Sequence, residues 1–227
     1  MHGSLTYNPE HTMHRFEEIL QKNKSPEAFT SEYVAYLSSI LTRLDRPAFA
    51  QVFRVLEQAR EQKNTIFICG NGGSAATASH IAEDLALGPK KYGHAPFRTI
   101  SLTDNAASIT AIGNDNGYDE IFVMQLENLF RKGDIVTGIS ASGNSPNVIK
   151  ALEYANANGG ISLAVTGFDG GKMKKISQYS LHVHSGPGEY EPVEDAHLII
   201  GHILASYFKY QPQEHVSPGK KIRGDRE

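Results

Sequence analysis

Thr65-Ile-Phe-Ile-Cys-Gly-Asn-Gly-Gly-Ser-Ala-Ala-Thr-Ala-Ser-His-Ile-Ala-Glu-Asp84 decides the fold. A short apolar run enters a set of glycines, and the glycines open a helix, which is the strand–turn–helix unit of an α/β sheet. Glycine tolerates φ > 0 and has no side chain in the way, so backbone N–H groups can approach an anion here. His80 and Asp84 stand four residues apart on the helix and project from one face. An anion cradle and a pair of groups fit for metal binding or acid–base work therefore share one element. Gly70-x-Gly72-x-x-Ala75 also matches the dinucleotide fingerprint. The acidic residue that fingerprint requires about 20 positions later would fall in Lys90–Gly93, where there is none.

From residue 64 onward, strands and helices alternate. Strands are predicted at Thr65–Cys69, Arg98–Leu102, Ile135–Ile139, Ser162–Thr166 and Ser180–Val183. Helices are predicted at Ser74–Leu87, Asn105–Ile112, Asp119–Phe130, Ser145–Asn158 and Pro192–Tyr210. This alternation implies a doubly wound, five-stranded parallel α/β sheet with helices on both faces and ligands beyond the carboxyl ends of its strands. Before residue 64 the chain reads as helix in three segments, His11–Asn23, Ser25–Leu44 and Pro47–Gln62. Ser25-Pro26 looks like a cap followed by proline at the first helical position, as does Arg46-Pro47 with a poorer cap. Residues 1–62 thus form an N-terminal helical extension, 63–210 the α/β domain, and 211–227 a polar, disordered tail. The extension's apolar stripe (Tyr33, Tyr36, Leu37, Ile40, Leu44) fits packing on the domain and an oligomer interface equally well.

A second anion site follows the third strand, at Ser140-Ala-Ser-Gly-Asn-Ser145-Pro. Ser145 is a good helix N-cap and Pro146 suits the first helical position. Three hydroxyls, free backbone N–H groups and a positive helix end make a phosphate site without any lysine.

With 22 basic and 25 acidic residues the net charge is −3, which argues against nucleic-acid binding driven by bulk charge. The single cysteine, Cys69, excludes an internal disulfide framework and fits a reducing compartment; it closes a buried-looking strand as a core residue. No apolar run reaches the roughly 20 residues of a membrane span, and no signal-peptide pattern opens the chain, so a cytoplasmic protein is expected. Whether Met1–Ser4 is native is left open. His182 and His184 share one strand face and read as packing residues; neither His94 nor His197 is taken as a site residue.

Together the two loops resemble the sugar isomerase (SIS) fold, and more closely the phosphoheptose (sedoheptulose 7-phosphate) isomerase family. The matching pieces are Cys69–Ser74, His80–Leu85, Asp104, Ile112–Asp115, Gly138–Lys150, Thr166–Lys172, and Glu194–His197 with His202. The resemblance implies an aldose–ketose isomerase acting on a seven-carbon sugar phosphate, assembled as a homotetramer that shares its sites between subunits. It implies that Asn71, Gly72, Gly73, Ser74, Asp104, Ser140, Ala141, Ser142, Ser145 and Glu194 bind the substrate. It further implies a zinc site of His80, Asp84, Glu194 and His202, with Asp84 and His202 moving protons. Two positions depart from the family pattern: Asp84 stands where the family has glutamate, and Glu194 where it has glutamine. Four ligands would also describe a closed, structural metal site. Loss of catalysis, leaving a phosphosugar sensor or partner-binding SIS protein, and an isomerase of another phosphosugar are the alternatives.

Overall fold

The computed structural model describes residues 15–22 and 24–212. Among these residues one sheet forms from β1 (Thr65–Gly70), β2 (Arg98–Ser101), β3 (Ile135–Ser140), β4 (Ile161–Thr166) and β5 (Tyr179–His182). All neighbours pair in parallel, in the order β2-β1-β3-β4-β5. β1 and β3 are buried along their whole length, as central strands covered on both faces must be. Their register sets Ile66 against Ile135 and Gly70 against Ile139, so the two strands end side by side. The chain leaves β1 for β2 on one side and then crosses back to β3 on the other. Open sheets of this type bind ligands at that reversal, here the crevice beyond Gly70 and Ser140.

The helices are α1 (Arg15–Lys22), α2 (Pro26–Thr42), α3 (Arg46–Gln62), α4 (Gly73–Leu87), α5 (Ala106–Asp115), α6 (Val123–Leu129), α7 (Pro146–Ala157), α8 (Gly171–Ile176) and α9 (Tyr190–Tyr210). Alternation along the strands feeds two cores. Ile66, Ile68, Ile135 and Ile139 pack with residues of α2, α3, α4 and α9, among them Ile40, Leu56, Ile81 and Ile200. Phe67, Cys69, Val136 and Ala164 pack with residues of α6, α7 and α8, among them Leu126, Leu152 and Met173. The extension thus shares a core with the sheet. Burial pushes the Cys69 thiol up to about 12, which keeps it an inert core group.

The predicted elements hold with local differences. Asp45, not Arg46, caps α3 by accepting from the Ala48 N–H at 3.1 Å, which places Pro47 one position further into the helix. The helix predicted over Asp119–Phe130 splits into a 3₁₀ turn at Tyr118–Glu120 and α6. Ile121 and Phe122, at the break between the two, are both buried. α8 was not foreseen, since six residues are too few to show a helical period. Residues 1–14, which hold Met1–Ser4 and the start of the first predicted helix, lie outside the described residues, as do 213–227 of the predicted tail. No helix of the described residues is long and apolar enough to cross a membrane.

Candidate active site

The first expected anion cradle lies where β1 turns into α4. Gly72 has φ 55° and ψ −123°, a conformation that glycine alone adopts without strain. A side chain on Gly73 would fall on the carboxylate of Glu194, so glycine also lets α9 approach the turn. The amides that open α4 stand at the positive end of the helix, where that of Ala75 already donates to the Gly72 carbonyl at 3.0 Å.

The serine loop closes the other side. Ser140 Oγ lies 3.1 Å from Ser145 Oγ and 3.4 Å from Ser142 Oγ, so three hydroxyls meet at one point. The Gly143 N–H donates to Ser140 Oγ at 3.2 Å and the Asn144 N–H to Ser142 Oγ at 3.3 Å. Buried Ala141 accepts the Gly167 N–H through its carbonyl, which ties the loop to the end of β4. One expectation changes: Ser145 occupies the N-cap position of α7 but makes no capping bond. Its hydroxyl is committed to the serine cluster instead of the helix.

Two residues that the sequence did not single out lock the loops together. Asn71 and Asn147 exchange side-chain amide bonds, each at 2.9 Å, and Tyr118 donates to Asn71 Oδ1 at 3.0 Å. At the end of β2, exposed Asp104 accepts from Ser79 on α4, which also lies 3.0 Å from Thr103 Oγ1.

A second cluster stands two turns along α4. His80 Nε2 is 3.3 Å from Asp84 Oδ2, and across the gap to α9 His202 Nε2 lies 3.1 Å from His80 Nε2 and 3.9 Å from Asp84 Oδ2. Gly201 makes this meeting possible: a side chain there would strike Ile81, between the two helices. Ligand atoms held tetrahedrally about 2.0–2.1 Å from one ion lie roughly 3.3 Å apart, so the three separations fit a shared divalent ion. Side-chain exposure of 47, 30 and 48% for His80, Asp84 and His202 leaves one side open to solvent. The cleft there holds about 270 Å³ and is also lined by Glu83, Lys91 and Lys209.

Glu194 does not join this group: the metal-compatible cluster contains only His80, Asp84 and His202. The side chain folds toward the turn at Gly73, one helical turn before His197. Burial, with the nearby carboxylates of Glu191 and Asp195, holds its carboxyl above the usual carboxylate range. Three ligands with an open position match a catalytic metal site better than the closed four-ligand set.

His182 and His197 serve as packing, whereas His184, expected to pack beside His182, lies past the end of β5 and is exposed. His182 Nδ1 pairs with Thr166 Oγ1 at 3.1 Å and its ring meets His184 edge-on, with centroids 4.3 Å apart. His197 is 1% exposed, and its ring nitrogens find no hydrogen-bond partner among the described residues. Burial lowers both His182 and His197 to about 4, so both are neutral near pH 7.

Residues 29–167 match the model of the SIS domain. A phosphoheptose isomerase of Helicobacter pylori (strain P12) is 39% identical, over 76% of this chain and 90% of its own length. One from Aquifex aeolicus (strain VF5) is 40% identical, over 66% and 77% respectively. The structure of the phosphoheptose isomerase from Neisseria gonorrhoeae superposes with a TM-score of 0.72 at 29% identity, covering 83% of this chain and 98% of that one.

Proposed function

This chain belongs to the phosphoheptose isomerase family of SIS domain proteins, and from that premise we propose that it interconverts sedoheptulose 7-phosphate and D-glycero-D-manno-heptose 7-phosphate. The product would serve as a precursor of heptose-containing surface polysaccharide. The observation that carries the reading is the division of α4. Its first turn borders an anion cradle, and two turns further on it carries two of three converging metal-compatible side chains. A phosphate held by Ser140, Ser142 and Ser145 would leave the sugar to run past Asn71–Ser74 and Asp104 toward the cluster.

His80, Asp84 and His202 would hold the divalent ion, zinc by its preference for imidazole and carboxylate donors. When bound, the ion supplies Lewis-acid polarisation of the substrate carbonyl. With Oδ2 of Asp84 turned to the imidazoles, Oδ1 remains to take the proton from C1 of the ketose and return it to C2 through an enediol. His202 moves the matching proton between the oxygens on C1 and C2. Glu194 offers a second assignment for the base. Its carboxylate lies over the sugar-binding turn, and burial raises its pKa, as suits a proton carrier.

An apolar groove of Leu41, Leu44, Phe49, Phe53 and Ile203 suits coverage by a second copy of the chain, as in the homotetramer proposed here, and the cytoplasm is its proposed setting.

The test is product formation from sedoheptulose 7-phosphate by zinc-loaded protein, with uptake of solvent deuterium at C1 and C2. Loss of exchange in Asp84→Asn with retention in Glu194→Gln supports Asp84 as base, and the reverse moves the role to Glu194. No turnover by the unmodified protein, with the sugar phosphate still bound, leaves a phosphosugar-binding protein in place of an isomerase.

A further inference from the structure

The bonds between Asn71, Asn147 and Tyr118 have a fixed polarity. The backbone N–H of Val148 donates to one side-chain atom of Asn147 at 2.9 Å, and that atom must be the amide oxygen, since a backbone N–H can only donate. The Asn147 amide nitrogen therefore faces Asn71, and the atom it meets at 2.9 Å must be Asn71 Oδ1. Asn71 Nδ2 returns one hydrogen to Asn147 Oδ1. Asn71 Oδ1 already accepts from Asn147, so the Tyr118 hydroxyl, 3.0 Å away, donates to its second lone pair. Both acceptor sites of Asn71 are then filled, and among the described residues one N–H of its amide remains without a partner.

Tyr118 has little else to hold it in place. Its side chain is exposed at 57%, and the chain reaches it through Gly117, at φ 105°. The following residues anchor the turn: Lys150 of α7 pairs with Glu120 at 2.6 Å and Asp119 at 3.8 Å. The crossover between β2 and β3 is thereby tied to α7, and it reaches the β1–α4 turn through the Tyr118 hydroxyl.

We infer that Tyr118 is a positioning residue, whose hydroxyl fixes the Asn71 amide so that its free N–H is presented to an acceptor oxygen of the sugar phosphate. This rests on the reading of the crevice as the sugar-phosphate site. The residue acts on binding, because it touches neither the converging cluster nor any group assigned to proton transfer.

Tyr118→Phe keeps the ring and removes the donor. Loss of one neutral hydrogen bond raises KM for sedoheptulose 7-phosphate about three- to tenfold and leaves kcat within about twofold. Since the side chain is exposed, Tm stays within about 2 °C. In Asn71→Ala, where the amide that Tyr118 holds is gone, adding Tyr118→Phe raises KM no further. Unchanged KM in Tyr118→Phe, or a fall in kcat and Tm at constant KM, overturns the inference. Calorimetric Kd values for sedoheptulose 7-phosphate separate the two claims. Binding without turnover by the unmodified protein refutes the isomerase reading, while the same rise in Kd for Tyr118→Phe still supports the positioning role. No binding by the unmodified protein overturns both.

Discussion

The two ends of α4 solve different problems by different means. At its first turn, the strand register of β1 and β3 sets the backbone, side chains are tied to one another, and Asn147 is 1% exposed. Along its middle, His80 and Asp84 reach out to His202 of another helix, and all three side chains are 30–48% exposed. A phosphate cradle needs fixed N–H and O–H groups, which loops at the carboxyl ends of central strands can supply. A metal-compatible cluster needs an open coordination position, and two packed helices can present one. Damage at the first end should therefore appear as weaker binding, and damage at the second as lost chemistry.

Asp84→Asn tests the second half of that contrast and carries the largest effect. It removes a converging carboxylate and the proposed base together, and kcat should fall about 10³-fold, within the range of a lost general base. KM for the sugar phosphate should change little; a KM effect as large as the kcat effect would erase the distinction between the ends. Ser145→Ala tests the first half. A hydrogen bond to a charged phosphate lost there should raise KM about 10- to 100-fold with kcat preserved. Because Ser145 makes no capping bond, the thermal stability of Ser145→Ala should match the parent, whereas loss of a capping serine costs about 1 kcal/mol. Gly201→Ala probes how the two ends are coupled. A methyl group against Ile81 should push α9 from α4 and weaken zinc binding, read by competition with a chromophoric chelator, about tenfold. Phosphate affinity should be unaffected, and an equal loss there would mean that the helix pair also sets the cradle.

How far the sequence could be read follows the same division. The glycine turn, the serine loop and the alternation that orders the sheet are local patterns, and they sit where expected. His80 and Asp84 were visible because four residues on a helix fix their relation. That His202 meets them depends on Gly201 packing against Ile81, which no spacing shows; here the family resemblance supplied the pairing. The same resemblance put Glu194 among the metal ligands, yet its side chain turns toward the space left by Gly73. Asn147 and Tyr118 were missed because their partner, Asn71, lies 76 and 47 residues away. A polar residue in the first turn after the serine loop was the one available hint of Asn147. Ser145 stands at the N-cap position as expected, but its capping bond does not form: cap preference describes an isolated helix, and a neighbouring Ser140 can win the same hydroxyl.

α9 carries the contrast within one helix: exposed His202 in the cluster, and His197, five residues earlier, sealed in the core. His197 is held neutral, with its pKa lowered to about 4 by burial, against about 6.5 for an unfolded histidine. Between those values the unfolded chain binds a proton that the folded chain refuses, so stability is full above pH 6.5 and declines as the pH falls toward 4. One such group changes the unfolding free energy by at most about 1.4 kcal/mol per pH unit, or about 3 kcal/mol across the window. Half-buried His182, lowered the same way, adds a smaller part that solvent reduces. His197→Leu replaces a ring whose nitrogens make no well-formed hydrogen bond among the described residues with an apolar side chain, so near pH 7.5 it should cost little stability. Urea unfolding at pH 7.5, 6 and 5 should then show a shallower decline for His197→Leu than for the parent, with zinc affinity at pH 7.5 equal in the two. A parallel decline would place the acid sensitivity elsewhere, and a loss of zinc affinity would mean that the buried and exposed faces of α9 do not act independently.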